Sequence, residues 1–304
     1  NIGINGILHV ENLVKRLNVL IHFSDTQLSV PTAYRWCKTN HIQYIPYIGV
    51  IESHSASTIK RWITNCIFKR NLSLYKKCIC CVKTPAVEKK MKKLGVTNTV
   101  VTPVGLDTDL LKMDYDRYDP FELKNKYGYH REDKVLLFIG RLIEEKQPIR
   151  MIDIFSEVRK KSQSYKLLIV GTGGLKDIAE ERIQKLHLEN YVKIIDRIPN
   201  DCIWELYRFA DAFVNLNQHE IFGMAILEAM YYRCKVIAWE APGPNYIIED
   251  GQSGWLVKSN KEVIDRIMDT RETGVMANMR IVNSFTWKRS AERICAIIGE
   301  KDEY

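Results

Sequence analysis

No stretch of the 304-residue chain approaches the roughly 18 consecutive apolar residues that a membrane-spanning helix needs, which excludes an integral helical membrane protein. Glycine (16 residues) and proline (9) are too sparse for a collagenous chain, and there is neither a low-complexity tract nor a repeat of solenoid period. Cysteine is present eight times but not in a metal pattern. Only Cys78, Cys80 and Cys81 cluster, and no His or second Cys pair stands at zinc-ligand spacing from them. The run CICCV reads instead as a buried strand, with Cys78 and Cys80 on one face and Cys81 on the other, a set of core thiols in a reducing cytosol. Acidic residues are scarce at one end only. Residues 1–110 hold 15 Lys/Arg against 6 Asp/Glu, whereas the remainder holds 30 against 31, so the net charge of +8 belongs to the first third. Asn1, not Met, stands first, and the expectation is a longer native chain.

What is present is ordinary globular material, 46% hydrophobic and 27% charged, at a length that predicts two domains. Short apolar runs alternate with amphipathic stretches. Strands are expected at Val19–Phe23, Gln43–Ile48, Ile79–Val82 and Thr99–Thr102, then at Val135–Ile139, Leu167–Val170, Val192–Ile195, Ala212–Leu216, Lys235–Ala238 and Trp255–Val257. Helical patterns between them include Gln147–Lys161, Leu175–Leu186, Cys202–Phe209 and Phe222–Tyr232, with Trp287–Ile298 after the last strand. Near-continuous apolar strands joined by helices predict an α/β fold of parallel sheets covered on both faces. Six strands after residue 134 make one complete doubly wound domain, and the four earlier ones make a smaller or incomplete one. Pro103, Gly105 and the aperiodic MDYDRYDP place the boundary in 103–133, so the expected division is 1–111, 112–285 and a terminal segment 286–304 returning to the first domain.

Between residues 60 and 93 eleven cations meet one acid, Glu88, with Trp62, Ile63, Ile67, Phe68, Leu72 and Tyr75 interleaved. Such a stripe fits an anionic membrane surface, and equally a plain solvated face; nucleic acid is the weakest of the three readings and is not expected as a partner.

Four segments of the second domain fall where strands end, the end at which open parallel sheets bind ligands. In Phe138-Ile-Gly-Arg-Leu-Ile-Glu-Glu-Lys146, Gly140 allows a sharp turn, and Arg141 and Lys146 are suited to a diphosphate, although as surface charges they would look the same. In Val170-Gly-Thr-Gly-Gly174, Gly171 and Gly173 permit close backbone approach to a ligand or simply a tight turn. The spacing is not a complete G-x-G-x-x-G and no acid follows at the distance an NAD ribose requires, which argues against a dehydrogenase. In His219-Glu-Ile-Phe-Gly-Met-Ala-Ile-Leu-Glu228, Gly223 lies near a helix start, so Phe222, Gly223 and Met224 can offer backbone N–H groups to an anion. Glu220 and Glu228 are either an acid–base pair or, the preferred reading, acceptors for sugar hydroxyls. The fourth segment, APGPNYIIEDGQSGWLV, is a Pro/Gly-punctuated loop approaching the same place.

In this order, GRLIEEK, VGTGG, the Glu220-x7-Glu228 pair enclosing Phe-Gly, and GPNYIIEDGQSGWLV resemble the retaining glycosyltransferases of family 4. Upstream, PVGLDTDLL at 103–111 resembles their interdomain segment, and FSDTQLSVPTAY and YIGVIES resemble their first domain less clearly. The resemblance implies a GT-B fold, two Rossmann-like domains facing across a cleft whose closure excludes water, with an N-domain expected to be incomplete in this sequence. It implies transfer of a sugar from a nucleotide diphosphate, commonly UDP, to an acceptor hydroxyl with retained anomeric configuration. No cofactor or metal is implied, the nucleotide-sugar being a co-substrate. Arg141 and Lys146, following the turn at the donor-binding Gly140, would neutralise the diphosphate, and Glu220 would hold sugar hydroxyls. The amides of Phe222, Gly223 and Met224 would contact sugar and phosphate, and Glu228 the ribose. Arg197 and Ile198 would frame the base, and Gly171 and Gly173 would line the nucleotide pocket. A basic first domain adds a lipid-linked or saccharide acceptor in cell-envelope synthesis, and a cytoplasmic enzyme peripheral at the inner membrane face. Two departures stand against this. Ile48-Gly49 replaces the family's His-Gly near a T-x-H-G pattern, and the family's N-terminal strand and glycine-containing loop are not recognisable. The alternative is a nucleotide-sugar-binding, catalytically impaired relative.

Overall fold

A computed structural model describes residues 17–51, 58–111 and 117–298. The region in which the family's N-terminal strand would lie, the end of YIGVIES and part of the MDYDRYDP linker fall outside the described residues. The chain divides into two compact units, residues 1–104 with 287–304, and residues 105–286. The division thus falls after Val104, earlier than the expected 111, because Leu106 is held by the second unit: its N–H donates to the Phe285 carbonyl at 2.8 Å beside a bridge to Thr286.

Among its described residues the first unit carries four parallel strands, β1 (Val19–Phe23), β2 (Gln43–Ile48), β3 (Cys80–Val82) and β4 (Thr99–Val101), in that spatial order. Helices α1 (Val30–Thr39), α2 (Thr58–Tyr75) and α3 (Pro85–Lys93) make the crossovers. The start of α3 follows from local chemistry. The Thr84 hydroxyl accepts from Val87 N–H at 3.3 Å, Pro85 occupies the first turn, and Lys90, Lys92 and Lys93 fill the negative end of the helix dipole. On one face of the sheet, Ile45, Tyr47, Ile79 and Cys81 form a core with Ile294 and Ile297 of the terminal helix. Cys80 faces the other way and donates its thiol to the Tyr75 carbonyl of α2, while Cys78 donates to Leu74. The alternation read from CICCV is therefore real, and all eight cysteines are free, although Cys66 and Cys295 are exposed rather than core thiols. The basic stretch 60–93 is not one stripe. The buried strand β3 separates α2 from α3, and Phe68 and Tyr75 point into the unit.

In the second unit the strands are β5 (Lys134–Ile139), β6 (Tyr165–Val170), β7 (Val192–Ile195), β8 (Ala212–Asn215), β9 (Val236–Trp239) and β10 (Trp255–Val257), all parallel, in the order β10-β9-β8-β5-β6-β7. Chain order reverses between β5 and β8. The helices are α4 (Pro120–Lys126), α5 (Pro148–Lys161), α6 (Lys176–Lys185), α7 (Ile203–Phe209), α8 (Met224–Tyr231), α9 (Pro244–Ile247), α10 (Asn260–Met268) and α11 (Gly274–Ser284), followed by α12 (Trp287–Ile297) of the first unit. Leu136, Phe138, Leu167, Ile169, Val214 and Ile237 from the sheet interlock with Met151, Phe155, Val158, Val263 and Ile267 from α5 and α10, all buried. No helix of the described residues is long and apolar enough to cross a membrane.

Candidate functional site

Where the order of an open parallel sheet reverses, the connections leave in opposite directions and a crevice opens at the carboxyl ends of the two strands. Here that crevice lies between β5 and β8. The chain leaving β5 is Gly140–Gln147, including a single 3-10 turn at Glu144–Lys146; the chain leaving β8 is Leu216–Gly223. Two of the four segments singled out by sequence therefore flank one crevice.

The other two are fastened to them by glycine. A Cβ on Gly171 would lie 1.8 Å from the Gly140 carbonyl oxygen, and one on Gly173 2.3 Å from that of Leu142. The contact is closed by Leu142 N–H donating to Thr172 O at 2.8 Å and Leu175 N–H to Leu142 O at 2.9 Å. Gly243 N–H likewise donates to the Glu220 carbonyl at 2.9 Å, and a Cβ there would lie 2.2 Å from Phe222 O. These glycines bring backbone against backbone, which no side chain permits.

At the mouth, Lys146 Nζ donates to Glu220 Oε2 at 2.6 Å, with both side chains mostly shielded from solvent. Asn217, buried, donates from Nδ2 to the same Glu220 oxygen and to Glu145 Oε1, each at 3.2 Å, and its Oδ1 accepts from His219 N–H at 2.9 Å. Arg141 is exposed and makes no ion pair among the described residues. Gly223 (φ +100) caps α8, so the amides of the first turn of α8 open beside Glu220; Phe222 is buried and the Met224 side chain is exposed.

Glu228 sits inside α8 with Oε2 accepting from the Tyr207 hydroxyl at 3.0 Å. Burial pushes its carboxyl above the ordinary range, and the Tyr207 hydrogen bond offsets part of that. Tyr207 is itself pushed far up by complete burial and by the carboxylate. Arg197 (exposed) and Ile198 (half-buried) follow β7, two strands from the crevice and so roughly 10 Å along the sheet edge.

A sequence model described as glycosyl transferases group 1 matches residues 119–280, more than half of the chain. The chain belongs to this family. Among curated relatives it is 22% identical over 268 residues to alpha-monoglucosyldiacylglycerol synthase of Acholeplasma laidlawii, covering 87% of this chain and 66% of the relative. It is 27% identical over 238 residues to the amylovoran biosynthesis glycosyltransferase AmsD of Erwinia amylovora, covering 70% and 65%. The chain thus spans about half to two-thirds of the length of the curated relatives it matches. Among solved structures, Anabaena Alr3699/HepE in complex with UDP and glucose superposes with a TM-score of 0.76 at 19% identity, over 93% of this chain and 78% of that one. The TarM G117R mutant of S. aureus in complex with fondaparinux, alpha-GlcNAc-glycerol and UDP gives 0.73 at 20% identity, over 95% and 57%. These likenesses show the fold, GT-B, with both of its parallel-sheet domains represented.

Within this group 1 chain, sequence reasoning missed Asn217, Glu145, Tyr207 and Gly243. Their spacing carries no signal, because each acts through a contact made across the fold. It also passed over two Asp-x-Asp pairs. Asp107 caps Leu110 N–H at 3.3 Å, and the pair Asp114/Asp116 lies outside the described residues; among the described residues no group of three or more His, Cys, Asp or Glu is placed to hold a metal. In the first unit, the amides of Gly49 and Val50 donate to Asp25 Oδ1 at 2.6 and 2.9 Å, at the position where the family pattern has His-Gly. His22 of β1 has both ring nitrogens engaged, by Tyr44 Oη at 2.7 Å and Ser29 Oγ at 3.3 Å, and burial holds it below its usual pKa. A cavity of about 410 Å3 opens at the opposite, amino end of the second sheet, and three of the cations that line it are engaged: Lys124 with Asp211 at 3.0 Å, Arg271 with Asp269 at 2.7 Å, and Lys235 with the Asp269 carbonyl.

Proposed function

We propose that the chain transfers a sugar from a nucleotide diphosphate, a UDP-sugar, to an acceptor hydroxyl with retention of anomeric configuration and without a divalent metal. The observation that carries this reading is the cluster of Lys146, Glu220 and Asn217 beside the α8 N-terminus at the β5/β8 crevice. The difficulty of the reaction is charge developing on the leaving diphosphate. Lys146, Arg141 and the α8 amides would meet that charge with fixed positive ends, which stabilise it more in a water-poor crevice than in bulk water. In the resting state Lys146 and Glu220 neutralise each other. With donor bound, the diphosphate takes Lys146, and Glu220, still held by Asn217, accepts from sugar hydroxyls. The bond from the anomeric carbon to the phosphate oxygen breaks with its electron pair going to that oxygen. The acceptor oxygen bonds the same face, and its proton passes to the departing phosphate. Glu220 is then an anchor rather than a base. The free oxygen of Glu228 would accept from the ribose, and Arg197, Ile198, Gly171 and Gly173 would border the base and nucleotide. Family 4 membership, a saccharide or lipid-linked acceptor and a role in cell-envelope polysaccharide or glycolipid synthesis at the cytoplasmic membrane face belong to the same proposal, supported by the basic first unit and by the names of the relatives.

The test is a thermal-shift series with UDP, GDP, ADP and TDP, then UDP-sugars, on the parent and on Arg141→Ala and Glu228→Ala. Ligand at 100 times its Kd stabilises by about 2.7 kcal/mol. UDP alone should shift the parent and neither variant should respond. A parent that no nucleotide stabilises contradicts the donor reading. A parent that binds UDP-sugar but yields neither transfer nor hydrolysis is the impaired relative, for which the Ile48-Gly49 departure speaks.

A further inference from the structure

The cavity at the amino end of the second sheet lies wholly within the second unit, and its volume of about 410 Å3 falls in the range of small-molecule sites. It is lined from the start of β5 by Lys134 and Leu136 and from the start of β8 by Ala212. The donor crevice flanks the other ends of these same two strands. Six residues of β5 separate the two places, a distance of roughly 20 Å, so one small ligand cannot occupy both.

The charge of this cavity is one-sided. Lys124, Lys134, Arg208, Arg233, Lys235 and Arg271 line it against three acids, Asp211, Asp269 and Glu272. The chain after residue 110 holds 30 basic and 31 acidic residues, so the surplus of cations is local and does not follow from composition. Two of the acids already serve the fold. Asp211 accepts from Lys124 at 3.0 Å and from Val135 N–H at 2.8 Å, and Asp269 accepts from Arg271 at 2.7 Å.

The cations retain donors for a further anion. Lys134 is exposed and makes no ion pair among the described residues; its ammonium lies 5.4 Å from the Tyr165 ring. An ammonium has three donors, and Lys235 meets the Asp269 backbone carbonyl rather than a carboxylate. Burial holds Lys235 below its ordinary pKa, a cost that an anion beside it would offset. Arg271 bonds Asp269 through Nε and Nη2, which leaves the Nη1 donors for a second partner. The walls are set in advance, since the Tyr165 hydroxyl donates to the Ile267 carbonyl at 3.1 Å and Lys124 to the Asp133 carbonyl at 2.8 Å. Little ordering is then needed on binding. One phosphate monoester carries about −1.5 to −2 at neutral pH, less than the surplus of cations, whereas two come close to matching it. Leu136 and Ile267 supply carbon surface for the skeleton between the phosphates.

We infer that this cavity binds a small molecule carrying two phosphate groups, held by Lys134, Lys235 and Arg271, at a site separate from the donor crevice. The inference does not depend on the donor reading, because its decisive residues lie at the opposite ends of the strands.

The experiment is calorimetric titration of the full chain with fructose 1,6-bisphosphate as probe, beside inorganic phosphate and fructose. The parent should bind the bisphosphate at least roughly tenfold more tightly than inorganic phosphate and should not bind fructose. Lys134→Gln, which removes an exposed side chain with no ion pair, should weaken the bisphosphate roughly tenfold without moving the melting midpoint of the free protein. Glu272→Gln enlarges the cationic surplus and should tighten binding roughly two- to fivefold. Arg141→Ala, at the donor crevice, should leave the bisphosphate affinity unchanged whether or not UDP binds there. Any of four results overturns the inference: a parent that does not bind the bisphosphate, inorganic phosphate binding as tightly, Lys134→Gln and Glu272→Gln both without effect, or loss of bisphosphate binding in Arg141→Ala, which would place the probe in the donor crevice.

Discussion

Glu228 and Lys146 define what single residues do here. The Glu228 carboxyl lies above its ordinary pKa because burial disfavours the charged form. A carboxyl raised in the folded state binds more protons folded than unfolded. Its contribution is therefore fully present below the unfolded value of about 4.3 and is lost as pH rises through the folded value. Glu228→Gln keeps the Tyr207 contact without the charge. It should raise the melting midpoint at pH 7 and lose that advantage at pH 4, while weakening UDP stabilisation because the carboxylate acceptor is gone; melting curves at the two pH values, with and without UDP, check both signs. Tyr207→Phe removes the donor to this half-buried carboxylate and should cost roughly 1–3 kcal/mol in denaturant unfolding. Lys146→Met leaves Glu220 with Asn217 alone, a loss of roughly 1–3 kcal/mol in stability, but it should abolish UDP stabilisation, so binding and folding separate in the same titration.

Among the elements, the ten strands of the described residues were legible in the sequence to within one or two residues, because buried parallel strands are short apolar runs bounded by Gly, Pro and polar residues. The start of α8 was legible as well, since Phe-Gly before an apolar run marks a cap. Gly171 and Gly173 read in the sequence either as close backbone approach to a ligand or as a tight turn. The structure adds that Gly171 and Gly173 hold two loops together by close backbone contact. Gly171→Ala should therefore lower stability by about 2–4 kcal/mol, since the added carbon meets the Gly140 carbonyl, whereas Gly174→Ala, with nothing within 4 Å, should be neutral. Comparing the unfolding midpoints of the two variants tests this. Equal effects would mean that the contact does not fasten the loops.

At the scale of the molecule, the terminal helix α12 belongs to the first unit although the chain reaches it last. Ile294 and Ile297 cover Ile45, Tyr47 and Cys81, Gln43 Nε2 donates to the Ile297 carbonyl at 3.3 Å, and Ser290 Oγ donates to Pro103 O at 2.5 Å. Ending the chain at Thr286 should therefore lower the calorimetric transition of the first unit and leave that of the second in place, with UDP raising only the latter. A single transition shifted as a whole would contradict this division of stability.

The sequence by itself determined the fold class, the two parallel sheets, the four segments that follow strand ends in the second unit and the basic first domain. These are properties of local pattern: apolar runs, turn residues and the count of charges. Only the tertiary structure decided which segments meet. It placed Asn217 between Glu145 and Glu220, Tyr207 on Glu228 and Gly243 against Phe222, and it turned Trp62 outward while Phe68 of the same helix went into the core. Such pairings join residues separated along the chain and depend on strand order and helix rotation, which spacing along the sequence does not encode.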